Sequence, residues 1–168
     1  MRAAFRVHGF TLIEVLIVIA LVAVLAATVI PKFASSTEDA KASTLEYNMK
    51  GLRSQIAVYE AHHFGDFPTI QNNDLPQLTS TTNARGVIGP PGPDYPYGPY
   101  VDKALPANPF DRSNKVTAVA VQGARPTGAV GNLGGWQYDA SNGGIWPNHA
   151  GYYRAQSLGA EAAGPLGP

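Results

Sequence analysis

Residues 9–30 read GFTLIEVLIVIALVAVLAATVI, and the fold follows from how that run is understood. From Phe10 to Ile30 the chain is apolar for 21 residues, interrupted only by Thr11, Glu14 and Thr28. As a helix the run is roughly 30 Å long, enough to cross the hydrocarbon core of a bilayer. Arg2 and Arg6 precede it, and the positive-inside rule keeps such a leader cytoplasmic. Three ordinary readings compete. One is a secretory signal peptide, with Val24-Leu25-Ala26 before Ala27 as a small-residue cut site. The second is a plain membrane anchor, and the third a buried core helix. Glu14 weighs against all three. A carboxylate in a spanning helix costs up to about 3 kcal/mol at the centre and less near the interface, and a plain anchor has no reason to carry one.

The helix extends well past the apolar run. Of 14 prolines only Pro31 lies before Pro68, and of 18 glycines only Gly9, Gly51 and Gly65 lie before Asp66. Both residues are kept out of helix interiors, so residues 10 to about 64 read as one long helix of roughly 80 Å, too long for a globular domain of this size. Pro31 lacks an N–H and is expected to kink the helix or melt the turn before it. Beyond it, Leu45, Met49, Leu52, Ile56 and Tyr59 form one apolar seam at helical spacing. Glu38, Asp39, Lys41, Lys50 and Arg53 are expected on the opposite side. Residues 32–44 are mostly small or polar and suit a stretch that meets neighbouring helices.

Gly9-Phe10-Thr11-Leu12-Ile13-Glu14-Val15 resembles the processing and methylation motif of the type IV pilin superfamily, which includes the pseudopilins of type II secretion. The resemblance implies that a prepilin peptidase cuts between Gly9 and Phe10 and that Phe10 becomes a methylated N-terminus. It implies that Glu14 pairs with the Phe10 amine of a neighbouring copy during assembly. It matches Pro31 to the proline that interrupts the stalk helix. A charge pair of this kind is physically sensible: carboxylate and ammonium are each costly in hydrocarbon, and pairing removes much of that cost in one register only.

Gly65-Asp66-Phe67-Pro68 is expected to end the helix, with glycine as cap. Residues 57–68 also resemble the end of the long helix in major pseudopilins. Residues 65–114 are loop-rich, because the run from Gly89 to Tyr100 holds too many prolines and glycines for helix or central strand. Residues 115–121 read as a strand. Residues 135–138 and 144–147 read as a hairpin around Asn142-Gly143. The pieces from Gly98 to Phe110 and from Gly134 to Asn148 resemble the C-terminal half of major-pseudopilin-like proteins. The Ala/Gly/Pro-rich residues 151–168 read as a flexible tail.

Formal net charge is zero with 14% charged residues, which argues against nucleic acid as a partner. The absence of cysteine excludes disulfides, thiolate metal sites and a cysteine nucleophile. No phosphate loop, Ser/His/Asp spacing or carboxylate pair marks an enzyme. Adjacent His62 and His63 point about 100° apart on a helix and cannot share an ion, and His62 with Asp66 supplies only two ligands. Major pseudopilins resemble one another in a C-terminal calcium site. Here Asp102, Asp111 and Asp139 are the acidic candidates, and residues 157–161, with Glu161 alone, lack the acidic run usual in that family.

The expected fold is therefore α+β, a long N-terminal helix packed on a small antiparallel sheet. The expected segments are a leader (1–9), a transmembrane and polymerisation helix (10–30), an amphipathic stalk (31–64), a loop-rich region (65–114), a sheet (115–150) and a tail (151–168). The expected role is a non-enzymatic subunit of a type II secretion pseudopilus in the bacterial inner membrane, with its head in the periplasm. The expected partners are copies of itself, other pseudopilins, prepilin peptidase, the assembly platform with its ATPase, and the bilayer. No cofactor is expected beyond the calcium candidates. A type IV pilus pilin for adhesion, motility or DNA uptake is one alternative, and a membrane-anchored binding domain that never polymerises is another.

Overall fold

The computed structural model describes residues 10–158, so the leader and the last part of the tail lie outside the described residues. Helix α1 spans Leu12–His62, 51 residues. It runs through Pro31 without interruption, so the melted turn expected there is absent. Proline removes a single i→i−4 bond, the one to Ala27, and the ladder on either side can hold the helix across that gap. The chain divides into two units, Met1–Ala40 and Lys41–Pro168.

In the second unit the seam on α1 is the spine of the core. Leu45, Met49, Leu52, Ile56 and Tyr59 are all buried, none more than 5% exposed. They pack with Leu75, Leu78 and Leu105 from the loop region and with Val116, Trp136, Tyr138 and Ile145 from the sheet. Burial pushes the Tyr59 hydroxyl up to about 12, with Tyr100 and Asp66 adding to the effect. Arg53, expected on the solvent side, instead ties helix to sheet. Its guanidinium donates to the Ile145 carbonyl at 3.1 and 3.3 Å and lies over the Trp146 ring. The long apolar stem of arginine makes such a half-buried position tolerable.

After α1 the chain turns through Phe64 and Gly65, both at positive φ, with the Gly65 N–H closing onto the Glu60 carbonyl. Residues 65–114 are largely loop apart from the single turn α2 (Pro76–Thr79). Strands β1 (Val116–Ala118), β2 (Trp136–Asp139) and β3 (Gly144–Pro147) form one sheet in the order β1-β2-β3.

The sheet corrects two expectations. It is mixed, not antiparallel: β1 runs parallel to β2, pairing Val116 with Trp136, and only β2 and β3 form the expected antiparallel hairpin. Residues 119–135 give the chain length enough to return and re-enter in the same direction, which a tight turn would forbid. The strand at residues 115–121 is also shorter than expected, since only three of its residues pair. The hairpin turns at Asn142-Gly143, with Gly143 at φ +70°.

The tail yields a third correction, because Ala150–Leu158 form helix α3. Tyr153 anchors it, donating to the Pro147 carbonyl and accepting from Gln137 Nε2 at 2.9 Å each. Composition alone concealed this helix because its stability comes from a buried tyrosine and not from propensity.

Gly51 sits on the exposed face of α1, where an added Cβ would meet nothing within 4 Å. Gly51→Ala is expected to stabilise the head by roughly 0.5–1 kcal/mol, the usual gain for removing an unneeded helix glycine. A thermal melt checks this, and a lower melting temperature would mean that the backbone needs the glycine.

Candidate assembly site at the start of the helix

The first turn of α1 is built from Phe10, Thr11 and Glu14. Phe10 is 78% exposed and Leu12 opens the helix. Thr11 and Glu14 cap each other. The Glu14 N–H donates to Thr11 Oγ1 at 3.3 Å, and the Thr11 hydroxyl and N–H donate to Glu14 Oε2 at 3.4 and 3.5 Å. This is a capping box, and the spacing T-x-x-E announces it in the sequence. As a charge partner alone, Glu14 gives no reason to expect this cap. The contacts are long for hydrogen bonds, so the carboxylate is lightly held. A negative group in the first turn is favoured by the helix dipole.

Leu12–Ile30 has a mean hydropathy of 3.0, and none of the stretch is covered by the protein's own fold. Thr28, the third polar interruption, donates to the Leu25 carbonyl at 2.9 Å, the usual way a hydroxyl is accommodated in an apolar helix. All three polar interruptions therefore have local hydrogen bonds, but only Glu14 would carry a charge.

The other candidates are placed elsewhere. His63 is fully buried, with Nδ1 2.7 Å from the Tyr59 carbonyl and Nε2 2.9 Å from Thr82 Oγ1. A carbonyl only accepts, so Nδ1 carries a proton and donates to Tyr59. The ring stacks on Tyr59 and joins the helix end to the loops. His62 bonds to the Tyr100 hydroxyl at 3.0 Å.

Asp102, Asp111 and Asp139 are not brought together. Asp111 accepts from the N–H groups of Ser113 and Gly135. Asp139 accepts from the Gly123 N–H at 2.6 Å and from the N–H and hydroxyl of Ser141. Burial would raise the Asp139 pKa, but these donors outweigh it and hold the carboxyl below its ordinary value. Among the described residues no three His, Cys, Asp or Glu side chains are placed to hold a metal ion.

Asn108 and Asn148 have structural roles that no sequence pattern marks. Asn108 Nδ2 donates to the Gly135 carbonyl, and Asn148 bridges Val130 and Gly134, so these amides fasten the loops around the sheet. Nothing local in the sequence distinguishes them from surface asparagines.

A family model described as the prokaryotic N-terminal methylation motif matches residues 5–30. Type II secretion system core protein G of Escherichia coli K12 is 27% identical over 86% of this chain and 97% of that protein. The protein of the same name from Klebsiella pneumoniae is 30% identical over 62% of this chain and 70% of its own length. A fimbrial protein of Neisseria meningitidis is 37% identical over 46% of this chain, less than half of that protein. No solved structure matches at a significant level. With the glycine–aromatic–glutamate motif in register at the head of a 19-residue apolar helix, and with similarity to core protein G reaching through the head, the chain belongs to the family of type II secretion system core protein G, among the type IV pilin-like pseudopilins.

Proposed function

We propose that this chain is a structural subunit of a type II secretion pseudopilus, polymerising through α1 to support protein export, with no catalytic role. The observation that carries this reading is the exposed apolar stretch Leu12–Ile30. A bilayer covers such a stretch in the stored subunit, and neighbouring copies of the same stretch cover it in a filament. Glu14 supplies the polar point that selects one register between them. In this proposal prepilin peptidase releases Phe10, and the inner-membrane platform and its ATPase extract the subunit. Pro31 is where the stalk bends on leaving the membrane, and the head stands in the periplasm. Likeness to core protein G along most of the chain supports this reading over a type IV pilus fibre, since the fimbrial likeness covers less than half of it.

The proposal makes a direct statement about the mature terminus. Mass spectrometry of membrane-extracted protein is expected to find Phe10 first, carrying a methyl group. An N-terminus at Ala27 would instead mark an ordinary signal peptide and remove the anchor on which polymerisation depends.

A further inference from the structure

The surface of the head carries two complementary features. The first is Phe64, just past the helix end. It is 87% exposed, the most exposed large apolar side chain among the described residues, and its φ is +59°. A side chain with a Cβ avoids that conformation, and glycine adopts it freely. Phe64 is thus held in a costly backbone geometry with its ring in solvent, and nothing in its own head covers it. Such an outlier points toward function.

The second feature is an apolar groove of about 340 Å³ further down the same helix. Tyr47, Gly51 and Leu52 line it from α1, and Tyr100, Val101 and Pro106 from the loop opposite. Tyr47 is 79% exposed at its edge. The groove has room for one aromatic ring.

We propose that Phe64 of one copy inserts into the Tyr47–Tyr100 groove of another copy of this chain. The inference rests on the pseudopilus reading above. Copies anchored by the same N-terminal helix stand parallel in the membrane. Gly51 and Phe64 are 13 residues apart, which is about 20 Å along a helix. Parallel copies can therefore bring knob to groove only when shifted along α1, and each copy then offers a free knob and a free groove to the next. Such a heterologous contact does not close on itself and propagates as a filament. An aromatic side chain buries on the order of 200 Å², far below the roughly 1,200 Å² of a stable pair. The contact consequently adds to an assembly made by the membrane helices, and it does not pair free heads.

The test uses the full chain, expressed with its assembly machinery. In Phe64→p-benzoylphenylalanine the ring is kept and made photoreactive. Illuminated, sheared filaments should give a ladder of multimers, with cross-links to peptides holding residues 47–55 or 100–106 of a second copy. Filaments without that ladder, or cross-links to other residues or to a different protein, overturn the contact and leave the pseudopilus reading standing. If the unmodified chain forms no filaments with the machinery present, both fall. Phe64→Gly gives an independent check. It should raise the melting temperature of the detergent-solubilised chain, because the strained residue is relieved, and reduce filament yield several-fold. An unchanged yield overturns the proposal.

Discussion

Glu14→Gln is expected to leave the chain inserted in the membrane with its head folded, and to abolish filaments. The head's core begins at Leu45, some thirty residues along α1, and contains no residue from the first turn. Insertion loses nothing, because replacing a carboxylate by an amide lowers the cost of placing the helix in hydrocarbon. The capping box survives, since glutamine can accept from Thr11 as glutamate does. What disappears is the charge that would meet the Phe10 amine of a neighbour. In a low-dielectric setting that leaves an ammonium unpaired, at a cost of several kcal/mol, enough to remove the preferred register. Glu14→Ala loses both cap and charge. The two variants, expressed with the assembly machinery and assayed for sheared filaments, separate the effects. If both fail to assemble, the charge is what matters. If glutamine assembles like wild type and alanine does not, assembly needs the cap, and the proposed charge pair is wrong.

The parts of the fold that were legible in the sequence are those encoded over one or two helical turns. The seam at positions 45, 49, 52, 56 and 59 repeats at the helical period, and each of its residues is buried. The apolar run and its glutamate are likewise local patterns. The parts that were not legible depend on chain closure. Val116 pairs with Trp136 across twenty residues, and nothing in either tripeptide states whether the strands run parallel. The direction is decided by the path of residues 119–135, which bend through Gly123, Gly131, Gly134 and Gly135, all at positive φ. All four β2 residues are buried, against the alternation expected of a half-exposed strand, because α3 and the 119–135 loop cover the second face. Gln137 shows how: it donates to the Gly128 carbonyl on the loop and to the Tyr153 hydroxyl on α3. Its polar chemistry reads as a solvent-facing position in the sequence and turns out to be the link between two elements. The assembly site divides the same way. The sequence pattern places Glu14, but what Glu14 would meet in the proposed filament belongs to another copy of the chain.

Gly135→Ala is expected to cost the head several kcal/mol, because Gly135 is where the return path and the parallel pairing meet. Its N–H donates to Asp111 Oδ2 at 3.0 Å, and its carbonyl accepts from the Asn148 N–H at 2.8 Å and from Asn108 Nδ2 at 3.1 Å. With both backbone groups held, the residue cannot rotate away from its φ of +72°. Alanine in that region costs roughly 1–2 kcal/mol from conformation alone. The larger penalty is steric. The added Cβ would fall on the Lys115 carbonyl oxygen and 2.8 Å from the Lys115 nitrogen, backbone atoms that have no rotamer to yield. That carbonyl accepts the Trp136 N–H at 2.8 Å, the bond that opens the β1–β2 ladder. Displacing it strands a buried donor at a further 1–3 kcal/mol or so. The combined loss is a large share of the 5–15 kcal/mol that typically holds a domain together. Gly65→Ala isolates the conformational part, since Gly65 is also at positive φ, +92°, but has nothing within 4 Å of its Cβ position. Both tryptophans of the chain, Trp136 and Trp146, lie in the sheet, so near-ultraviolet circular dichroism during a melt reports on it directly. The Gly135 variant is expected to melt roughly 10 °C or more below wild type, and the Gly65 variant only a few degrees below. Equal shifts would mean that the clash with Lys115 is relieved by a small movement, and that the parallel pairing does not depend on the absence of a side chain at position 135.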